Sequence, residues 1–176
     1  MEDRKGIRGL EEVLAREEIR GVLMDLARGT DRLDAELTRS CYHPDAIDDH
    51  ADYRGGPEGF ADWVLEVLPF FAATMHFLGN IRIEVEGDVA YTETYCVAHH
   101  LTRPDEKGGE RDLSMGLRYV DRFERRAGTG WRIAQRRCVW DWANTLPIDA
   151  KHPFGESYTL GRRDREDPSY EREQGG

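Results

Sequence analysis

The acid–base chemistry open to this chain rests on six histidines (His43, His50, His76, His99, His100 and His152) set among aspartates, tyrosines and arginines. His76 stands apart. It lies in PFFAATMHFLGN, otherwise apolar from Pro69 to Leu78, so its imidazole is expected inside and in need of a partner. Burial lowers a histidine pKa and a neighbouring carboxylate raises it, and together they can set it near neutrality, where an imidazole serves as a base. The competing reading is a structural, hydrogen-bonded histidine. Parity complicates both. Strict alternation groups His76 with Asn80, Arg82 and Glu84, opposite Ile81, Ile83 and Val85, and a bulge at Gly79 would turn it inward.

Asp31 is the matching acid, at the end of an amphipathic stretch and next to the Leu26-Ala27 turn; it also reads as a plain helix cap. Arg136 shares one face of a predicted strand with Cys138 and Trp140, an inward-looking set. His99-His100 suggests a metal pair, with His43, His50 and Asp49 as further ligands. Adjacent strand residues point to opposite faces and no i, i+4 histidine pair exists, so no metal is expected. Asp48, Asp49 and Asp52 read as a solvated edge. The sequence lacks G-x-G-x-x-G, a Walker-type loop, G-x-S-x-G and H-E-x-x-H, so nucleotide-fold, lipase-like and zincin chemistry are unsupported and no cofactor is expected.

The elements that must position these residues follow from periodicity. Leu10, Val13, Leu14, Ile19, Val22, Leu23 and Leu26 recur with a 3.6-residue period, predicting a helix that ends at Gly29. Thr30-Asp31 would cap a shorter helix from Arg32 to Tyr42. Ala46 to Tyr53 reads as a short edge strand, and Pro57 opens a third helix that Pro69 kinks or stops. Thereafter the period is two: Ile81 to Val85, Val89 to Leu101, Leu113 to Phe123 and Trp131 to Trp142, with turns at Gly87-Asp88 and Ala127 to Gly130 and a polar loop at 102–110. Helices followed by an antiparallel meander predict an α+β fold, a cone-shaped α+β barrel whose curved antiparallel sheet is closed at one end by the helices, with an apolar mouth suited to a small molecule.

Composition bounds the class. The 176 residues suit one domain, and 35 Asp+Glu against 25 Lys+Arg give a formal charge of −10. That field disfavours nucleic acid and anionic membranes as partners. Mean hydropathy is −0.72 with 10% aromatics, too many for a disordered acidic chain. Cys41, Cys96 and Cys138 are far apart and read as buried hydrophobes. MEDRKGIRGLEE has no apolar leader core, so a cytoplasmic location is expected.

The segments Ile19 to Asp34, HPDA (His43 to Ala46), GPEGF, TMHFLGN (Thr74 to Asn80), GDVAYTETY (Gly87 to Tyr95), RYVDRFERR (Arg118 to Arg126) and GWRIAQRR (Gly130 to Arg137) come in a familiar order. Over about residues 10–142 the chain resembles SnoaL-like proteins of the NTF2-like (cystatin-like) superfamily. The branch is that of scytalone dehydratase, hexachlorocyclohexane dehydrochlorinase and bile-acid 7α-dehydratase. The resemblance implies a SnoaL-like domain over residues 1–143. Residues 144–176 would then be an extension packed on the domain or on a neighbouring subunit.

It also implies catalytic Asp31, His76 and Arg136, the last five residues after Trp131. It places Leu26 at a position where some relatives carry tyrosine, and Thr30 where scytalone dehydratase-like enzymes do; Tyr95 or Tyr119 would then have to supply a tyrosine acid. Leu26, Tyr95, Val97, His99, Met115, Leu117, Tyr119 and Trp140 are implied to face the cavity, with Phe71 and Ile47 on its wall. A homo-oligomer is implied, a trimer or else a dimer. The expected function is a cofactor-free lyase or isomerase acting on a hydrophobic, cyclic small molecule. The alternatives are a non-catalytic ligand-binding module and an accessory subunit.

Overall fold

Ala15, Ile19, Leu23 and Leu26 recur on one buried face, and this is why residues Leu10–Asp31 form a single amphipathic helix, α1. The computed structural model describes residues 9–151 and 153–171. Residues 1–8 (read above for a leader), His152 and residues 172–176 of the expected extension lie outside the described residues. Gly29 does not end α1. A Cβ there would come within 2.7 Å of Thr38 Oγ1 and 3.0 Å of Thr38 N, so glycine lets the next helix fold back closely. The helix stops two residues later, where Leu33 takes a left-handed φ of 55°. Asp34, not Thr30-Asp31, caps helix α2 (Ala35–Ser40), accepting the Leu37 N–H at 3.1 Å. Helix α3 (Pro57–Val67) starts on its proline as predicted and passes into a 3₁₀ turn at Leu68–Phe70.

Six strands follow this logic: β1 (Tyr42–His50), β2 (Tyr53–Gly55), β3 (Phe71–Glu86), β4 (Val89–Thr102), β5 (Arg111–Arg126) and β6 (Gly130–Pro147). They form one curved, open sheet in the order β2-β1-β6-β5-β4-β3, so the α+β expectation holds while the sheet does not close into a barrel. The β1–β6 pairing is parallel and places Asp48 opposite Arg136; all other pairings are antiparallel. On β3, Leu78 pairs with Cys96 and Ile81 with Thr94, so an extra residue is accommodated at Gly79-Asn80. This is the bulge that His76 required. It puts Ile81, Ile83 and Val85 on the same face as Thr74, His76 and Leu78.

Against that inner face pack α1 and α3, with Leu23, Leu26, Phe60 and Val64 meeting Ile83, Phe123 and Ile133. The opposite face carries exposed apolar side chains, Met75, Phe77 and Val97 among them. There the Trp142 indole lies over Gly116, where a Cβ would meet Nε1 at 2.1 Å. Strand β6 runs through the boundary expected at residue 143, and the remaining described chain returns to α1 and α2. Arg165 pairs with Asp34 at 2.9 Å, and Arg28 sits 4.5 Å from the Tyr170 ring centroid. Among the described residues, no helix is long and apolar enough to cross a membrane.

Candidate active site

The end of α1 delivers Asp31 to the start of β3, where three donors converge on its carboxylate. Thr74 Oγ1 donates to Oδ1 at 2.8 Å and the His76 backbone N–H to Oδ2 at 2.9 Å; the His76 ring Nδ1 lies 2.8 Å from Oδ1. Both side chains are largely buried. An ionised carboxylate only accepts, so Nδ1 carries a proton, and in the neutral imidazole Nε2 is then the nitrogen with the free lone pair. Burial pushes the Asp31 carboxyl up, but the hydrogen bonds and charge of His76, with Thr74, outweigh it and hold the group below its ordinary value.

Beside this pair lies a cavity of about 280 Å³, walled by Leu26, Phe71, Met115, Leu117, Tyr119 and Trp140 among others, and including His76 and Arg136. Six of the ten expected cavity residues are therefore there. Four are not. Tyr95, Val97 and His99 point to the outer face, Tyr95 being 45% exposed, and Ile47 on β1 also faces out. Cross-strand partners share a face, and inward His76 pairs with Ala98 while Thr74 pairs with His100. Cys96, Ala98 and His100 must then face inward, and the odd-numbered residues between and beside them outward. On β1, Ile47 stands between the inward Ala46 and Asp48. Only Tyr119 of the two candidate tyrosine acids reaches the cavity, and burial pushes its phenol well above the usual value.

Sequence reasoning met His100 and His50 only as metal-ligand candidates and did not place them in the cavity, which both line. His100 stacks edge-on with His76 at 5.3 Å between ring centroids and with Phe71 at 4.9 Å. Burial, then the neighbouring His76, pushes it down to about 4, so it is a neutral imidazole at neutral pH. Its signal was the pairing register, readable once His76 faced in. His50 was hidden by the acidic run around it. Asp48 is not a solvated edge residue; it is wholly buried, accepting a hydrogen bond from the Tyr42 hydroxyl, because β1 is an interior strand.

Arg136 enters the cavity wall with its charge already paired. Nε and Nη2 donate to Asp121 at 2.8 and 2.7 Å, and the guanidinium lies 4.0 Å from the Tyr119 ring centroid. Burial pushes the Asp121 carboxyl up even against this partner. The returning tail supplies a further contact, since Arg163 donates to the carbonyls of Asp31, Leu68 and Phe71 and to Thr74 Oγ1. Among the described residues, no group of three or more His, Cys, Asp or Glu side chains is arranged to hold a metal ion. The three cysteines are buried and unpaired, and burial raises each thiol, Cys96 to about 11.

Comparison with known proteins places the chain and its fold. The SnoaL-like domain model matches residues 11–137. An uncharacterized protein of Mycobacterium tuberculosis strain H37Rv is 33% identical over 133 residues, 71% of this chain and 84% of its own length. The chain belongs to the SnoaL-like family, and its architecture is the NTF2-like one. In fold it is similar to a scytalone dehydratase-like protein of Novosphingobium aromaticivorans, with TM-score 0.66 and 17% identity over 83% of this chain and 97% of that one. It is also similar to a type 2 hexachlorocyclohexane dehydrochlorinase (LinA), with TM-score 0.64 and 22% identity over 83% and 99%.

Proposed function

We propose that this protein is a cofactor-free lyase or isomerase acting on an apolar, ring-shaped small molecule, with His76 as the base. The observation that carries the reading is a carboxylate fixed at Nδ1 of an imidazole that lines an apolar cavity. A substrate C–H proton would move to His76 Nε2. In the lyase reaction the C–H electron pair forms the new C=C bond, and the leaving group departs from the adjacent carbon with its own bonding pair. Asp31 stabilises the imidazolium so formed, and such a positioned base contributes about 10²–10⁴-fold. Arg136 offers Nη1 as a hydrogen-bond donor to developing negative charge, although its paired charge makes this donor weaker than a free guanidinium. The dehydratase-like and dehydrochlorinase neighbours support the class of reaction.

The same reading places the protein in the cytoplasm and uses the outer apolar face, with Phe77 65% exposed, to pack a second copy of the chain in a trimer or dimer. Its experiment is direct. Wild type and His76→Ala are incubated with hexachlorocyclohexane, reading chloride release, and with cyclic β-hydroxyketones, reading enone absorbance. Turnover by wild type and none by the variant is expected; equal rates overturn the assignment. The pairing of Arg136 with Asp121 favours one second reading, a carrier that binds without turnover. It predicts that His76→Asn retains ligand and that no compound is converted.

A further inference from the structure

One margin of the cavity is closed by a single hairpin. Strand β1 pairs with β6 as far as Asp49 and Arg137, while β6 runs on to Pro147. Past that point Trp140 and Ala143 of β6 line the cavity on one side, and the turn residues Ala51 and Asp52 line it on the other. Both turn residues are exposed, and among the described residues no hydrogen bond or ion pair joins them to β6. Strand β2 pairs with β1 alone, over three residues, so the hairpin has little ladder of its own. Its turn is also strained. Only two residues separate the paired His50 and Tyr53, and Ala51 takes a left-handed φ of 56°, which a side chain disfavours.

Tyr53 holds this hairpin against α3. Its hydroxyl donates to the Gly56 carbonyl at 2.6 Å, and its ring packs on Phe60 and Trp63 at centroid distances of 5.8 and 6.0 Å. The hydroxyl fits a socket that only glycine leaves open, since a Cβ at Gly55 or Gly59 would lie 2.5 or 2.6 Å from it. Phe60 and Trp63 also line the cavity, so a Tyr53 that leaves its socket uncovers the aromatic wall behind. Strain in the turn favours opening and the Tyr53 clasp favours closure, which makes the hairpin a two-state element. We propose that the β1–β2 hairpin is the door of the cavity and Tyr53 its latch: an apolar ring enters and leaves between Ala51-Asp52 and Trp140 when Tyr53 swings out of the Gly55–Gly59 socket. A door present in both the free and the liganded protein slows entry and exit alike and leaves affinity where it is. This rests on the proposed function only in taking the cavity as the ligand site.

The probe is fluorobenzene, a ring that a cavity of about 280 Å³ admits, given that roughly 150 Å³ holds one benzene. Fluorine NMR exchange between its free and bound resonances gives both rate constants and Kd. Tyr53→Phe keeps the ring and removes the latch bond; association and dissociation are both expected to quicken about fivefold, with Kd within about twofold of wild type. Gly59→Ala raises the helix propensity of α3 but fills the socket, and is expected to accelerate exchange at least as much. Ala51→Gly relieves the left-handed strain and is expected to slow both rates about threefold. Rates unmoved in the two latch variants, a rise in dissociation alone with a weakened Kd, or no bound fluorobenzene in wild type overturns the proposal. Hydrogen exchange read by mass spectrometry gives a second test. Residues 50–55 should lose protection in the latch variants while α3 keeps its own, and joint loss of both would show that the hairpin is no separate door. Failure of His76 as the base would show in turnover and leave these exchange rates unchanged.

Discussion

Asp31 holds His76 at two points, its Oδ2 accepting the backbone N–H at 2.9 Å and its Oδ1 facing ring Nδ1 at 2.8 Å. Thr74 adds a third donor, so all three groups around the carboxylate give protons and none accepts one. Asp31→Asn must turn its NH₂ toward at least one of them. The change is expected to reduce kcat by about 10²–10⁴-fold with a near-native circular dichroism spectrum, because the imidazole loses its fixed tautomer and its counter-charge. An unchanged kcat would remove Asp31 from the mechanism.

The same cluster makes stability depend on pH in two windows. His100 is pushed down to about 4 in the folded protein, whereas an unfolded histidine titrates near 6.5. Between those values the unfolded chain binds more protons, so stability falls as pH falls, by on the order of 3 kcal/mol across the window. Asp31, held below its ordinary value, contributes stability that is present above about pH 4 and is lost on further acidification through its folded pKa. Urea midpoints measured from pH 7 to pH 3 should therefore decline in two stages. His100→Phe should flatten the upper stage and Asp31→Asn the lower one.

How far the sequence carried these residues depends on what kind of signal each one had. His76 stood out because it interrupts an apolar run, and a glycine stood where its parity needed a bulge; Asp31 read by itself as a helix cap, and only the family resemblance paired the two and turned His76 inward. The strands and the hairpin turns were readable from period two and from Gly87-Asp88. What failed was local reading where a tertiary contact decides. Gly29 has the composition of a helix stop, yet its role is close approach to Thr38. Asp48 sits in an acidic run that looks solvated, yet its side chain is opposite Arg136 in a parallel pairing that no local pattern announces. Tyr95, Val97 and His99 were placed inside on resemblance, while the register set by His76 sends them out. A face assignment on β4 follows from its partner strand, and the partner strand is not in the β4 sequence.

Arg136 and Asp121 form a buried bidentate pair, and the two partners should not respond alike to being separated. Removing one partner of such a pair leaves an uncompensated buried charge, which destabilises by about 3–5 kcal/mol. Asp121→Leu is expected to show that loss in full. The double change Asp121→Leu with Arg136→Met removes both charges and should be much milder than the sum of the single changes. Denaturation of the two single variants and the double variant, read as a double-mutant cycle, checks this; strict additivity would mean that the pair is not coupled.

Arg163 ties the tail to the dyad through atoms that otherwise belong to different elements. It donates to the Asp31 carbonyl at 3.1 Å, to Leu68 at 2.9 Å, to Phe71 at 3.1 Å and to Thr74 Oγ1 at 3.2 Å. Thr74 in turn donates to Asp31, so the tail sets the orientation of the carboxylate that sets His76. The fork of a guanidinium can reach several acceptors at once, and an ammonium cannot reproduce that geometry. Arg163→Ala is expected to lower stability by about 1–2 kcal/mol and kcat by about 3–10-fold with little change in KM. Arg163→Lys should recover charge without recovering most of kcat. The rest of the tail stays attached through Arg165–Asp34 and Arg32–Asp167, so limited proteolysis after residue 147 should accelerate only modestly. A variant that frees the tail completely while leaving kcat intact would show that Arg163 is an anchor and has no part in positioning the dyad.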